Sequence, residues 1–440
     1  MRVNFRRIGP AIALGAAALL AACTPVAAPA PPAPPAPPAA PQAVVRGCSA
    51  AAASATPTAT SSTADQDTLS APEAAADADV AFATATDRLP DGSIPLVTVE
   101  QRGHSLEIDT TAVRSAEDAA EVATDAARGD DLVAVFPDSI VTTATADGPT
   151  ASAATANDTE RSRQWALDRA GFEAAWDVSD GAGVVVAVVD TGVQSAHPDL
   201  AGQVLPGRRF VDNGASGIAM DPAIDDDGHG THVAGIIAAV ANNAQGIAGG
   251  APGACILPVK VLNSSGSGWD SDVARGIDWA VSNGAHVINL SLGSGSPGAS
   301  SIAVQNAVAN DVMVFAAAGN DGAGASPEYP AADPSAIAVA SVTSALARSS
   351  FSTTGAYVDI AAPGSGIYST YTSPSYASLS GTSMATPYAA ATGALVRGRY
   401  PAWTVAQARQ RLLDTANDLG PPGPDDEFGY GFIDPLEAAG

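Results

Sequence analysis

The run Val184–Val189 is apolar at every position and passes directly into Asp190-Thr191-Gly192. A strand covered on one face alternates apolar with polar residues. One that is apolar throughout must be covered on both faces, as in a parallel sheet between layers of helices. The chain downstream fits that demand. His232–Val240, Asp270–Asn283 and Ser300–Asn310 have helical character, while Cys255–Leu262, Val287–Leu290, Val312–Ala317 and Ala336–Ser341 read as further strands. Alternation of this kind predicts an α/β fold, a parallel sheet flanked by helices. Hydrophobic residues make up 46% of the chain and aromatics only 5%, so its core must be built from Ala, Val, Ile and Leu.

Three short motifs fall at the ends of these elements, where open α/β sheets bind ligands. Asp190-Thr191-Gly192 ends a strand, Gly228-His229-Gly230-Thr231-His232-Val233-Ala234-Gly235 opens a helix, and Gly381-Thr382-Ser383-Met384-Ala385 opens another. A hydroxyl nucleophile needs an imidazole to take its proton and a carboxylate to orient the imidazole. Two histidines, His229 and His232, compete for the role of base. In the order Asp, His, Ser, the motifs resemble those of the subtilisin-like serine protease family, from about Gln164 to Gly431. The resemblance implies a serine endopeptidase with Ser383 as nucleophile, His229 as base, Asp190 as its orienting carboxylate, and structural roles for His232 and His197. It also implies an oxyanion hole from the Asn320 side chain and the Ser383 N–H, and a substrate-binding edge at Ser291-Leu292-Gly293 with Ala318-Gly319. No cofactor is implied for catalysis. A structural calcium is implied near Gln164, Asp199 and Asn243, residue types whose oxygens suit that ion. The rival readings are a protease fold serving only as a binding module, and an esterase. The complete set of four polar residues weighs against the first, and the lack of a Gly-x-Ser-x-Gly elbow against the second.

Some positions depart from the family pattern. Tyr388 stands where a histidine outside the triad is usual, and Pro387 is expected in the first helical turn, where proline is tolerated. Asp321 and Glu328 read as part of a solvated loop; the resemblance implies that this loop edges the pocket for the residue before the scissile bond, where its charge would favour basic residues or disfavour acidic ones. Asp225-Asp226-Asp227 reads as a solvated loop whose field could raise the His229 pKa.

The N-terminal part has a different character. Arg2, Arg6 and Arg7 precede the apolar stretch Ile8–Ala22, laid out like an export signal. Leu20-Ala21-Ala22-Cys23 resembles a bacterial lipobox, which implies a lipid on Cys23 and contact with membrane only through that anchor. Residues 23–79, rich in Ala, Pro, Ser and Thr, read as a disordered tether. Residues 80–143 read as a small α+β domain, with a helix capped at Ser115 and strands around Pro137. Its end, Val133-Ala134-Val135-Phe136-Pro137-Asp138, resembles that of a subtilisin propeptide, which implies an intramolecular inhibitor. Residues 144–163 would then carry the maturation site, with the peptidase domain at 164–440. Maturation is expected to free the protease from its tethered pro-region. A net charge of −26 leaves nothing to neutralise phosphates and excludes nucleic acid as a partner. The partners expected are protein or peptide substrates, and the enzyme is expected to be a monomer. The cysteines, Cys23, Cys48 and Cys255, show no disulfide framework, and Cys255 reads as an inert core thiol.

Overall fold

The computed structural model describes residues 48, 68–129, 131–143, 156–211, 223–372 and 374–440, all within the unit Val44–Gly440. The export signal, Cys23, most of the tether and residues 144–155 lie outside the described residues.

The small domain opens with α1 (Ala71–Thr84) and continues through β1 (Ile94–Arg102), β2 (Ser105–Val113), α2 (Ala116–Ala126) and β3 (Leu132–Pro137). Strand β1 lies between β2 and β3, antiparallel to both. Helix α1 starts inside the stretch read above as disordered tether. Ser70 and Glu73 form a capping box with a proline in the first turn, a helix-start signal legible at Ser70-Ala71-Pro72-Glu73. The sheet is apolar on both faces. Ile94, Leu96 and Leu132 pack under α1 and α2, whereas Val97, Val99, Leu106 and Ile108 join a core of the large domain.

Strand β4 (Ile140–Thr143) leaves the small domain. The large domain begins with α3 (Trp165–Ala170), α4 (Phe172–Trp176), β5 (Val185–Asp190) and β6 (Arg208–Arg209). Helix α5 (His229–Ala238), β7 (Cys255–Lys260), β8 (Ser267–Trp269), α6 (Asp270–Ser282), β9 (Val287–Leu290) and β10 (Leu292–Gly293) follow. Then come α7 (Ala299–Ala309), β11 (Met313–Ala317), β12 (Ile337–Val342), β13 (Ile360–Pro363), β14 (Ile367–Thr370) and β15 (Tyr376–Leu379). The described chain closes with α8 (Thr382–Arg399), α9 (Val405–Asp414) and α10 (Pro435–Ala439).

Seven parallel strands form the sheet in the order β13-β12-β11-β9-β5-β7-β6. Strand β5 is buried at every position, and its side chains alternate between two cores. Val186 and Val188 face the layer containing α5 and α8; Val185, Ala187 and Val189 face α6 and α7. Each fully buried valine contributes roughly 1.5–3 kcal/mol, so an all-apolar strand is the economical solution at the centre of the sheet. Helix α8 crosses the middle of one face and is buried from Thr382 to Arg397. Its small residues permit the approach: a Cβ on Gly393 would come within 2.7 Å of the Phe315 ring.

Two expectations change here. Cys48 and Cys255 form a disulfide across a sequence separation of 207 residues, so Cys255 is not a free thiol. One partner lies in a low-complexity stretch and the other in a buried strand, and spacing alone could not pair them. Pro387 lies inside α8, beyond its first turn. Its missing N–H leaves the Ser383 carbonyl without an intrahelical donor, and the Ser291 hydroxyl donates to that oxygen at 2.8 Å.

Candidate active site

Strand β5 delivers Asp190 at its carboxyl end, and α5 delivers His229 at its first position. The imidazole Nδ1 lies 2.8 Å from Asp190 Oδ1 and 3.0 Å from Oδ2. Gly230 makes that approach possible, because a Cβ there would collide with the Gly192 carbonyl oxygen. Both side chains are buried. The carboxylate fixes the proton on Nδ1 and leaves Nε2 as the basic nitrogen. Nε2 has no hydrogen-bond partner among the described residues. Burial disfavours the imidazolium, but the Asp190 charge and hydrogen bond outweigh it, with Asp227 and Asp225 adding to them, so the His229 pKa is raised.

The acidic run before His229 is not a solvated loop. Asp225 is buried and accepts hydrogen bonds from the Thr191 and Thr231 hydroxyls and from the N–H groups of Asp227, Gly228 and Thr231. It thereby ties the loop after β5 to the start of α5. Asp226 pairs with Lys260 Nζ at 2.7 Å, and the same ammonium donates to the Thr191 and Leu262 carbonyls. Asp227 accepts from the His229 N–H at 3.0 Å. Sequence reasoning missed these roles. The signal available was acidic residues just ahead of a helix start, where the exposed N–H groups and the dipole favour them.

His232, one turn along α5 from His229, is held by backbone carbonyls instead of a carboxylate. Its Nε2 lies 3.1 Å from the Ile367 carbonyl oxygen and 3.2 Å from that of Ala377. Burial, with repulsion from His229, lowers its pKa to about 3, so it stays neutral. His197 Nε2 meets the Ser375 carbonyl oxygen at 3.0 Å and its Nδ1 accepts from the Asp199 N–H.

Ser383 occupies the first turn of α8, where the helix dipole favours negative charge. Its hydroxyl donates to the Ser291 carbonyl at 2.9 Å, which ties it to the edge that continues into β10. Asn320, just beyond β11 and the Ala318-Gly319 turn, accepts from the Thr382 N–H at 2.9 Å and hydroxyl at 3.1 Å. Those bonds fix which end of the amide faces Thr382. Among the described residues the buried amide nitrogen has no partner. A buried donor kept unpaired costs stability, and such atoms cluster where a site awaits a ligand. Glu328 lies against both glycines of the binding edge: a Cβ on Gly293 would collide with its Oε2, and one on Gly319 would lie 2.6 Å from its Oε1. Burial and the nearby Asp321 raise its pKa. Tyr388 is buried in α8 and packs on Phe172.

Strand β4 of the small domain runs antiparallel between β10 and β8, pairing Thr143 with Leu292, Thr142 with Gly293, and Val141 with Gly268. The Thr143 N–H donates to the Gly266 carbonyl at 3.0 Å. Nearby, Asp138 is buried against the start of α6 and accepts from the Ser271 N–H and hydroxyl. Burial pushes its pKa up to about 7, with Asp270 and Asp272 contributing.

The residues named for calcium meet around the loop 241–248. Asn243 Nδ2 donates to Asp199 Oδ1 at 2.8 Å, the Ile247 N–H donates to Oδ2, and Gln164 exchanges two hydrogen bonds with the Ala248 backbone. Asp199 is fully buried, and among the described residues no cationic side chain pairs with it. Burial raises its pKa to about 6.

A profile of the subtilase family matches residues 181–431, more than half of the chain. The chain belongs to the subtilase family. Subtilases are serine endopeptidases that need no cofactor for the chemistry and often bind structural calcium. Thermitase from Thermoactinomyces vulgaris is 49% identical over 266 residues, 60% of this chain and 91% of that protein. Subtilisin Savinase from Lederbergia lenta is 48% identical over 259 residues, 58% of this chain and 92% of that protein. Both alignments cover less of this chain than of the relative, so this subtilase carries a large share of sequence outside the match. No helix among its described residues is long and apolar enough to cross a membrane.

Proposed function

We propose that this chain is an exported zymogen of a serine endopeptidase in which Ser383, His229 and Asp190 carry the chemistry. The observation that supports it best is the buried Asp190–His229 pair with Nε2 left unpartnered. Ser383 Oγ attacks the substrate carbonyl carbon and passes its proton to His229 Nε2. Asp190 holds the tautomer and stabilises the imidazolium. The oxyanion forms against the Asn320 amide and the Ser383 N–H. Collapse expels the amine, which takes the proton from Nε2, and water repeats the sequence on the acyl-enzyme. Substrate lies as an added strand between β10 and β8, giving main-chain affinity with side-chain pockets for selectivity.

Strand β4 occupies that position in the precursor, which makes the small domain an inhibitor tied to the active site by its own C-terminal strand. The register Thr143–Leu292 and Thr142–Gly293 brings the end of β4 up to the edge beside Ser291, which supports Ala144–Thr145 as the maturation cut. The export signal and the Cys23 motif support passage out of the cytoplasm, with lipid on Cys23 as the membrane contact.

Calcium suits the donor set at the loop 241–248. The Asp199 carboxylate would hold it with the side-chain oxygens of Gln164 and Asn243 and loop carbonyls. The ion would neutralise a buried charge and brace the loop. It has no part in making or breaking the peptide bond.

The test is the mass, after reduction, of the purified protein beside its Ser383→Ala variant under identical conditions. Conversion of the first to a species starting at Thr145, with the variant unprocessed, is the expected result. Processing of the pure variant at the same rate would overturn the reading.

A further inference from the structure

Cys48 lies ahead of the small domain in the chain, whereas its disulfide partner Cys255 opens β7, the strand next to the edge strand β6 of the protease sheet. The proposed cut falls between them. Cys48 is held by its surroundings as well as by the sulfur bridge: its N–H donates to the Gly202 carbonyl at 2.9 Å, and its side chain packs against the core on the α6–α7 side. Cys255 is 5% exposed.

The location of the bridge matters. Strands β5 and β7 run parallel with Val185 opposite Cys255 and Asp190 opposite Lys260. The bridge is therefore at the amino end of the sheet and the catalytic residues at its carboxyl end, about 17 Å along the strand at ~3.3 Å per residue. Neither β4 nor any residue given a catalytic role touches it. Backbone cleavage beside Ser383 can release β4 from the cleft without disturbing the bridge.

We infer that the mature protease is a two-chain molecule in which Cys48–Cys255 keeps the N-terminal segment attached after the maturation cut. This inference rests on the zymogen reading above and reverses one of its expectations. Cleavage at 144–163 does not free the protease from what precedes it, and an anchor at Cys23 would still hold the enzyme. The cut also does not dilute the inhibitor away. A tethered domain rebinds at an effective concentration on the order of millimolar, so full activity requires digestion of the small domain itself. Digestion that spares the sequence around Cys48 leaves the N-terminal stub bonded to the enzyme.

The experiment is intact mass measurement of matured wild-type protein, alkylated and denatured, with and without a dithiol. Without dithiol, the expected mass is that of the uncut chain plus one water directly after the first cut, and that of the protease plus the stub bearing Cys48 once the small domain is digested. With dithiol, which reduces both sulfurs to thiols as it becomes a cyclic disulfide, two separate chains should appear. Cys48→Ser should mature normally and give two chains without reductant. Two chains from wild type without dithiol, or a peptide map that joins Cys255 to Cys23, would overturn the inference. A second protein separates this from the zymogen reading: Ser383→Ala bearing an added protease's recognition sequence within 144–155, cut by that protease. If wild type does not mature but this cut variant stays linked, the zymogen reading fails and the bridge stands. If the cut variant separates without dithiol, the bridge fails.

Discussion

The unpaired amide of Asn320 offers the sharpest test of the site. Asn320→Ala removes one of two proposed oxyanion donors, and losing one such donor typically costs ~10²–10³ in kcat, or about 2.7–4 kcal/mol. The stability cost should be far smaller. The Thr382 N–H and hydroxyl lose their acceptor, a penalty of ~1–3 kcal/mol. The variant also sheds a buried amide nitrogen that had no partner, which offsets part of that penalty. Net destabilisation of ~1 kcal/mol would lower Tm by roughly 2–4 °C. Asn320→Asp separates positioning from donation, because it keeps acceptors for Thr382 and replaces the amide N–H groups with an anionic oxygen. It should lose at least as much kcat as the alanine variant, with KM changed little. The assay is steady-state hydrolysis of a tetrapeptide anilide by matured enzyme, alongside thermal melts. If Asn320→Asp retained kcat within a few-fold of wild type, the amide nitrogen would have no role in the transition state.

Asp227 raises the His229 pKa while accepting the His229 N–H. Only neutral His229 is a base, so Asp227→Asn should move the rising limb of kcat/KM to lower pH; an unmoved limb would refute the coupling. Asp138, with a pKa near 7 when docked and ~3.9 when free, binds best protonated. Docking of the small domain should be firmest below about pH 4 and weaken as pH rises through about 7, and Asp138→Asn should flatten that dependence of activity release. Glu328→Gln should reduce cleavage after Lys and Arg relative to Ala and Leu in a peptide library; an unchanged profile would remove Glu328 from the specificity pocket. Chelation should lower Tm, and the gap between calcium-loaded and chelated protein should widen above pH 6. Without the ion, the raised pKa of Asp199 means its contribution to stability is present below about pH 4 and lost as pH rises through about 6. Equal melts with and without chelator would exclude a bound ion.

The local sequence determined a great deal here. An unbroken apolar run of valines and one alanine fits a strand covered on both faces, and the Asp190, His229 and Ser383 motifs stand at element ends because their glycines allow the close turns. Those are short-range properties, legible in a few adjacent residues. The capping box at Ser70 was equally legible and was hidden only by the low-complexity sequence around it. Tertiary structure decided what depends on residues far apart in the chain. Asp225-Asp226-Asp227 looks like a solvated charge run until Thr191, Thr231 and Lys260 are brought to it. Pro387 is tolerable inside α8 because Ser291, between β9 and β10, supplies the missing hydrogen bond. Cys48 and Cys255 can pair only once the sheet and the N-terminal segment are placed together. Charge satisfaction, a helix's missing donor and a sulfur bridge are all closed by partners whose distance in sequence carries no signal.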